Sequence, residues 1–174
     1  MDTLFYIASL VALVSSLMVI TRTHAIHALL YLVVSLLAIA VILFILGAPF
    51  AAALEVIIYA GAIMVLFVFV VMILNLDQSV SQEKHWLRPR IWVVPAFLVL
   101  ILAVELIYIL TFPVGAKAEM RVVTPKEVGT HLFGPYLLGV ELASLLLLAG
   151  LVGAYHLAYH LGLRNGDQKQ GIIS

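Results

Sequence analysis

The chain has 174 residues, of which 65% are hydrophobic and only 10% are charged, and its mean hydropathy is +1.22. Soluble globular domains carry about 25% charged residues, so this composition excludes a soluble domain. The formal net charge is zero, which gives no support for binding to nucleic acid or to an acidic membrane surface. Because cysteine is absent, the chain alone cannot form disulfides or thiolate-bound zinc and iron–sulfur sites.

Five apolar segments are each long enough to cross a hydrocarbon layer, which requires about 20 residues of helix. A chain in lipid must satisfy its own backbone hydrogen bonds, so these segments are predicted to be helices despite their Val and Ile content. The prediction is an all-α integral membrane protein, with a five-helix transmembrane domain at 1–163 and a short polar cytoplasmic tail at 164–174, expected to fray. The predicted spans are 3–20, 28–46, 51–76, 91–112 and 136–160.

The connections between the spans predict the orientation. Gly47 and Pro49 indicate a turn at 47–50, 77–90 is a polar loop, and 113–135 is the longest link. Six Lys or Arg residues fall on one side of the bundle, namely Arg22, Lys84, Arg88, Arg90, Arg164 and Lys169. Three fall on the other side, namely Lys117, Arg121 and Lys126. Cytoplasmic loops carry the excess of positive charge, so the N-terminus is predicted outside and the C-terminus in the cytoplasm.

The third span begins with an acid and a phenol on one predicted helix face. Glu55 and Tyr59 are four residues apart, a spacing that places side chains on the same face of an α-helix. They could form a proton relay, or an interfacial Glu that reaches the headgroups and a Tyr bonded to a neighbouring helix. Tyr59 would lie about 13 Å into the span at 1.5 Å per residue, near the midplane. This depth favours the relay.

Small residues follow, Ala60, Gly61 and Ala62, and allow a neighbouring helix to approach closely. Packing is the simpler interpretation, and a hinge or π-type irregularity is the alternative. Two further acids, Glu105 in the fourth span and Glu141 in the fifth, are candidate buried carboxylates. A metal site is not predicted, and the sequence carries no phosphate-binding glycine loop or other catalytic signature, so the chain is expected to have no catalytic centre of its own.

Three stretches of the chain resemble one protein family. The most specific is Glu55-x-x-x-Tyr59-Ala-Gly-Ala-Ile-Met-Val-Leu-Phe-Val-Phe-Val-Val-Met72, and the others are His27-Ala-Leu-Leu-Tyr31 and Leu132-Phe-Gly-Pro-Tyr136, the last leading to Val140-Glu-Leu-Ala-Ser144. They resemble the J-chain family of bacterial NADH:quinone oxidoreductase (respiratory complex I), which includes mitochondrial NADH dehydrogenase subunit six. The resemblance covers nearly the whole chain except 113–129 and the tail.

The resemblance implies a membrane-arm subunit of the bacterial inner (plasma) membrane, in contact with lipid and with the K, A, H and N chains of the complex. It implies that this chain binds no cofactor, while NADH, FMN, iron–sulfur clusters and quinone belong to other subunits. In the family the third span carries a π-bulge, whose relaxation is thought to open or close a water path. By position, Tyr59, Gly61 and Val65 would form the switching segment, with Glu55 as a flanking acid.

The predicted function is therefore to couple quinone reduction to proton translocation through a switchable third helix. Glu105 matches no motif of the family, and its role stays open. A related subunit of a multisubunit cation/proton antiporter or membrane-bound hydrogenase is the alternative. A stand-alone carrier is a third class, which the absence of an internal repeat disfavours.

Overall fold

The computed structural model describes residues 2–22, 25–74, 89–111 and 122–170, and every regular element in those ranges is a helix. The elements are α1 (Asp2–Thr21), α2 (Ala25–Ile45), α3 (Pro49–Leu54), a π-helical segment (Glu55–Ile63), α4 (Met64–Leu74), α5 (Pro89–Thr111), α6 (Pro125–Leu132) and α7 (Leu137–Gln170). α3, the π-helical segment and α4 follow one another without a break and form a single composite third helix.

Five helical stretches are long and apolar enough to cross a membrane, by length and composition: Asp2–Thr21, Ala25–Ile45, Pro49–Ile73, Trp92–Thr111 and Leu137–Tyr159. The predicted all-α class and the predicted number of spans are confirmed, and the spans begin and end close to their predicted bounds. Four of the basic residues that predict the orientation, and most of the 77–90 loop, lie outside the described ranges; these residues are Lys84, Arg88, Lys117 and Arg121. The predicted orientation is therefore still a prediction.

The chain divides into two compact units, Met1–Thr124 and Pro125–Ser174. The first unit is held together by close packing of α1 on α2. Ala8 and Ala38 are fully buried in its core, which Leu98 and Leu102 of α5 complete. Small side chains at such an interface let two helices approach closely in a membrane, where dispersion contacts and interhelical hydrogen bonds replace the hydrophobic effect.

A polar contact accompanies this apolar interface. The hydroxyl oxygens of Ser16 on α1 and Ser35 on α2 lie 2.9 Å apart, within hydrogen-bonding distance. Ser35 is buried, so the pairing satisfies a hydroxyl group that lipid could not. Interhelical hydrogen bonds of this kind contribute about 0.6 kcal/mol on average in membrane proteins, so the contact helps to fix the alignment of α1 and α2 more than it adds stability.

The turn between α2 and α3 is confirmed at its predicted place. Gly47 has φ of 82°, a left-handed conformation that residues with a Cβ rarely adopt. Pro49 follows as the first residue of α3, a position where its missing N–H costs nothing. The N–H of Val123 donates to the carbonyl of Gly47 at 2.9 Å. This bond holds the segment 122–124, at the end of the first unit, against the turn between α2 and α3.

The second unit contains a short helix that the sequence analysis did not predict. α6, Pro125–Leu132, lies within the 113–135 link and has Glu127 in its first turn, where an acid is favourable for the helix dipole. The turn 133–136 then leads into α7. α7 continues to Gln170, so the tail that was expected to fray from 164 is helical as far as that residue. The grouping of 1–163 as one domain is still a prediction.

Candidate functional site

The third helix changes its hydrogen-bond register inside the span. At the start of the π-helical segment, the N–H of Glu55 donates to the carbonyls of Ala51 and Ala52, four and three residues back. Just after its end, the N–H of Met64 donates to the carbonyls of Gly61 and Tyr59, three and five residues back. A five-residue spacing is the pattern of a π-helix, which is rare and frequently found at functional sites. The segment contains Glu55, Tyr59 and Gly61, three of the four residues predicted for the site.

Gly61 is the glycine of the π-helical segment. A Cβ added at this position would lie 3.1 Å from the carbonyl oxygen of Val56, a closer contact than most Cβ atoms make. Val56 precedes Gly61 by five residues. A side chain at 61 would therefore require this carbonyl to shift by a few tenths of an ångström.

The side chains of the site differ in their environments. Glu55 is half-buried, whereas Tyr59 is 51% exposed and Val65, the fourth predicted residue, is 66% exposed. Tyr59 and Val65 thus face the surroundings of the first unit, as expected for groups that contact lipid or a neighbouring subunit. The four-residue spacing of Glu55 and Tyr59 predicts that they lie on one face of an α-helix. In the π-helical segment this spacing no longer aligns side chains in the same way, because each π turn contains more residues than an α turn.

An apolar groove lies beside the start of the π-helical segment. It is partly open to the surroundings, has a volume of about 370 Å³ and is lined by α2, the third helix and α5, with Val56 as the lining residue from the π-helical segment. A close-packed interior resists deformation, so unfilled space beside an irregular helix makes a change of backbone register easier. The structure therefore combines a rare helical register, a glycine within it and an apolar groove at its first turn.

Glu105 and Glu141, the two additional acids, have different environments. Glu105 on α5 is buried, with 5% of its surface exposed, and it lines a groove with α1 in which Glu55 has no part. Glu141 belongs to the second unit, where it is exposed, so its burial stays a prediction. The structure thus joins Glu55, Tyr59 and Gly61 in one backbone segment and places Glu105 in a separate surface groove.

The arrangement supplies two groups that can exchange protons. A carboxylate and a phenol can each accept and donate a proton through hydrogen bonds, and both lie within a helix of membrane-spanning length. Ionisable side chains inside a membrane are costly and usually mark a pathway for protons or ions. Glu55 and Tyr59 are therefore candidates for a proton pathway.

Comparison with known proteins identifies the family. The sequence profile of NADH-ubiquinone/plastoquinone oxidoreductase chain 6 matches residues 15–157. The chain is 59% identical to NADH-quinone oxidoreductase subunit J of Pseudomonas aeruginosa, over 90% of this chain and 96% of that protein. It is 54% identical to the subunit J of Escherichia coli K12, over 90% of this chain and 85% of the relative. Subunit J of Buchnera aphidicola from Acyrthosiphon pisum is 48% identical over 99% of this chain and its own full length.

These relatives share one name, which favours the family predicted first over the antiporter, hydrogenase and carrier alternatives. The profile match extends from the middle of α1 into α7 and includes the entire π-helical segment. The chain therefore belongs to the NADH-ubiquinone/plastoquinone oxidoreductase chain 6 family, together with the subunit J proteins of bacterial NADH-quinone oxidoreductases.

Proposed function

We propose that this chain is a multi-pass membrane-arm subunit of a proton-pumping NADH:quinone oxidoreductase, in which the third helix couples quinone reduction to proton translocation. The observation that carries the proposal is the π-helical segment Glu55–Ile63 inside a helix of membrane-spanning length, in a member of this family. Conversion between the π and α registers would move the side chains after the segment relative to those before it. Such movement opens or closes a path for water and protons beside Glu55 and Tyr59.

Two features of the first unit support a helix with two registers. Gly61 has no Cβ and so avoids a close contact, at 3.1 Å, with the carbonyl of Val56. The partly open groove of about 370 Å³ beside Val56 provides volume into which the backbone can move. A switch requires two states of similar free energy, and a glycine-containing irregular helix beside an unfilled groove is suited to that balance.

The remaining parts of the proposal concern the surroundings of the chain. Its partners are other subunits of the complex, especially the K, A, H and N chains, in the bacterial plasma membrane. The N-terminus is outside and the C-terminus is in the cytoplasm. The chain itself holds no redox group, so electrons pass through NADH, FMN, iron–sulfur clusters and quinone bound by other subunits. This chain contributes the change of register in the third helix that couples quinone reduction to proton translocation.

Removing the hydroxyl group of Tyr59 tests the relay within this proposal. Tyr59→Phe keeps the ring and its packing, so electron transfer is expected to continue. One hydrogen bond contributes about 0.5–1.5 kcal/mol, so proton translocation per electron is expected to fall roughly two- to tenfold. Proton uptake and NADH oxidation are measured together in membrane vesicles. The matched control is Tyr6→Phe on α1, also an exposed tyrosine of the first unit. An unchanged ratio in Tyr59→Phe would remove the phenol from the relay.

The absence of cysteine allows a direct test of orientation. Ala25→Cys, at the start of α2, and Val122→Cys each introduce a single thiol at an exposed position. A membrane-impermeant maleimide added outside spheroplasts is expected to label Val122→Cys at once and Ala25→Cys only after the membrane is opened. The reverse pattern would invert the proposed orientation. Labelling of both variants in detergent confirms that both thiols can react.

A further inference from the structure

Glu105 is a buried carboxylate to which the proposed third-helix mechanism assigns no role. It lies on α5, six residues before the helix ends at Thr111, which corresponds to about 9 Å at 1.5 Å per residue. Its side chain is 5% exposed, and neither carboxylate oxygen has a hydrogen-bond partner among the described residues. A buried carboxylate without a partner is among the most costly groups a protein can carry, so its presence requires an explanation.

Glu105 lines a groove of about 530 Å³ between α1 and α5, with Thr3, Leu4 and Ile7 on the α1 side, and both of its carboxylate oxygens are covered. Thr3 lies in the first turn of α1, where the apolar run of the sequence begins, so one end of the groove lies close to the membrane surface. The hydroxyl-bearing residues Thr3 and Tyr108 also line the groove. The volume is sufficient for water, which occupies about 30 Å³ per molecule in the liquid.

No described residue supplies a counter-ion for the carboxylate of Glu105. Among the described residues that line the groove, Tyr108 on the same helix is the only other titratable one, and those of α1 carry no charge. The titratable side chains of α2, His27 and Tyr31, lie in the first two turns of that helix. Arg22 is 19 residues beyond Thr3, about 28 Å along the axis of α1. No cation from the described part of the chain balances a carboxylate in this position.

We propose that Glu105 is a proton-binding site within the membrane, held as a neutral carboxylic acid beside the groove between α1 and α5. When the side chain of Glu105 turns toward the groove, a hydronium ion there transfers its proton to one Oε atom and leaves as water, and release is the reverse of this step. A neutral acid avoids the cost of an isolated buried charge. The inference rests on the membrane placement proposed above and is independent of the switching of the third helix.

The chemical state of Glu105 can be tested in the intact complex in native membranes. Dicyclohexylcarbodiimide, an apolar reagent, attacks carboxyl groups that carry a proton and leaves a stable N-acylurea. Peptide mass spectrometry of the wild-type complex is expected to find this product on Glu105, and the labelling is expected to be lost in Glu105→Gln. The matched control Glu141→Gln, an acid in another span, is expected to leave the label on Glu105. Absence of the label from wild-type Glu105 would overturn the proposal.

The second arm distinguishes a proton from a cationic side chain of a neighbouring subunit. Gln has the shape of the neutral acid, so Glu105→Gln is expected to leave the thermal stability and subunit composition of the complex unchanged. If an Arg or Lys from a partner occupied the groove, the same substitution would leave that cation buried and unpaired, and the complex would be destabilised. That second result would overturn the proposal. Neither readout depends on proton pumping, so a failure here is distinguishable from a failure of the third-helix mechanism.

Discussion

Gly61→Leu is expected to lower proton translocation by this chain's complex several-fold, while NADH oxidation and quinone reduction continue. The new Cβ would lie 3.1 Å from the carbonyl of Val56, which disfavours the π register. A change of about 1–2 kcal/mol alters an equilibrium roughly 5–30-fold. The helix would therefore be held in the α register for most of the time.

The measurement is the number of protons moved per electron in vesicles that contain equal amounts of assembled complex. Gly61→Ala supplies the graded comparison, because it adds the same Cβ without the bulk of leucine. Gly139→Leu is the matched control, since a Cβ at Gly139 would meet no atom within 4 Å. Equal loss of electron transfer and proton translocation, with normal subunit stoichiometry, would argue against a gating role for the third helix. Blue-native electrophoresis identifies the separate case in which the variant does not assemble.

Ala38→Leu is expected to prevent assembly of most of the complex. Ala38 is fully buried in the core that α1 and α2 share, so a larger side chain there must push the two helices apart. Overpacking a well-packed core costs about 1–3 kcal/mol, and the separation would also break the contact between Ser16 and Ser35. The amount of complex in the membrane, measured by blue-native electrophoresis, is expected to fall several-fold.

The neighbouring residue provides the control for this substitution. Ile39 on the same helix is 38% exposed, so Ile39→Phe adds volume outside the α1–α2 core. It is expected to leave the amount of complex close to that of the wild type. Normal assembly of Ala38→Leu would mean that the interface between α1 and α2 is looser than its buried alanines indicate. The fold would then depend more on neighbouring subunits than on this helix pair.

The positions of the five spans were predictable because a single physical length, the thickness of the hydrocarbon layer, determines how long each apolar run must be. The turn at Gly47 was predictable for a similar reason, since glycine and proline restrict the backbone in known ways. α6 was missed because a search for apolar runs passes over a short polar helix. Pro125 and Glu127 nevertheless carry the signals of a helix start, and those signals were available in the sequence.

The π-helical segment could not be predicted from the residues alone. Val56, Ile57 and Ile63 suit an α-helix and a π-helix equally, because hydropathy does not depend on hydrogen-bond register. Small residues at 60–62 were compatible both with simple packing and with a π-type irregularity, and the family resemblance favoured the irregular helix. The groove beside Glu105 was unpredictable for another reason. It is formed by α1 and α5, and their alignment depends on tertiary packing that no pattern within one helix reports.

The register change has a mechanical consequence for the residues beyond it. Met64, directly after the π-helical segment, is 2% exposed, whereas its neighbour Val65 is 66% exposed. Successive residues of an α-helix are separated by about 100° of rotation and 1.5 Å of rise. A one-residue change of register would therefore rotate α4 about its axis and shift it along that axis by these amounts. Met64 would leave the interior, and Ile63 or Val65 would take its place. A flexible thioether would thereby be exchanged for a stiff β-branched side chain, so the two registers would pack differently against the interior of the first unit.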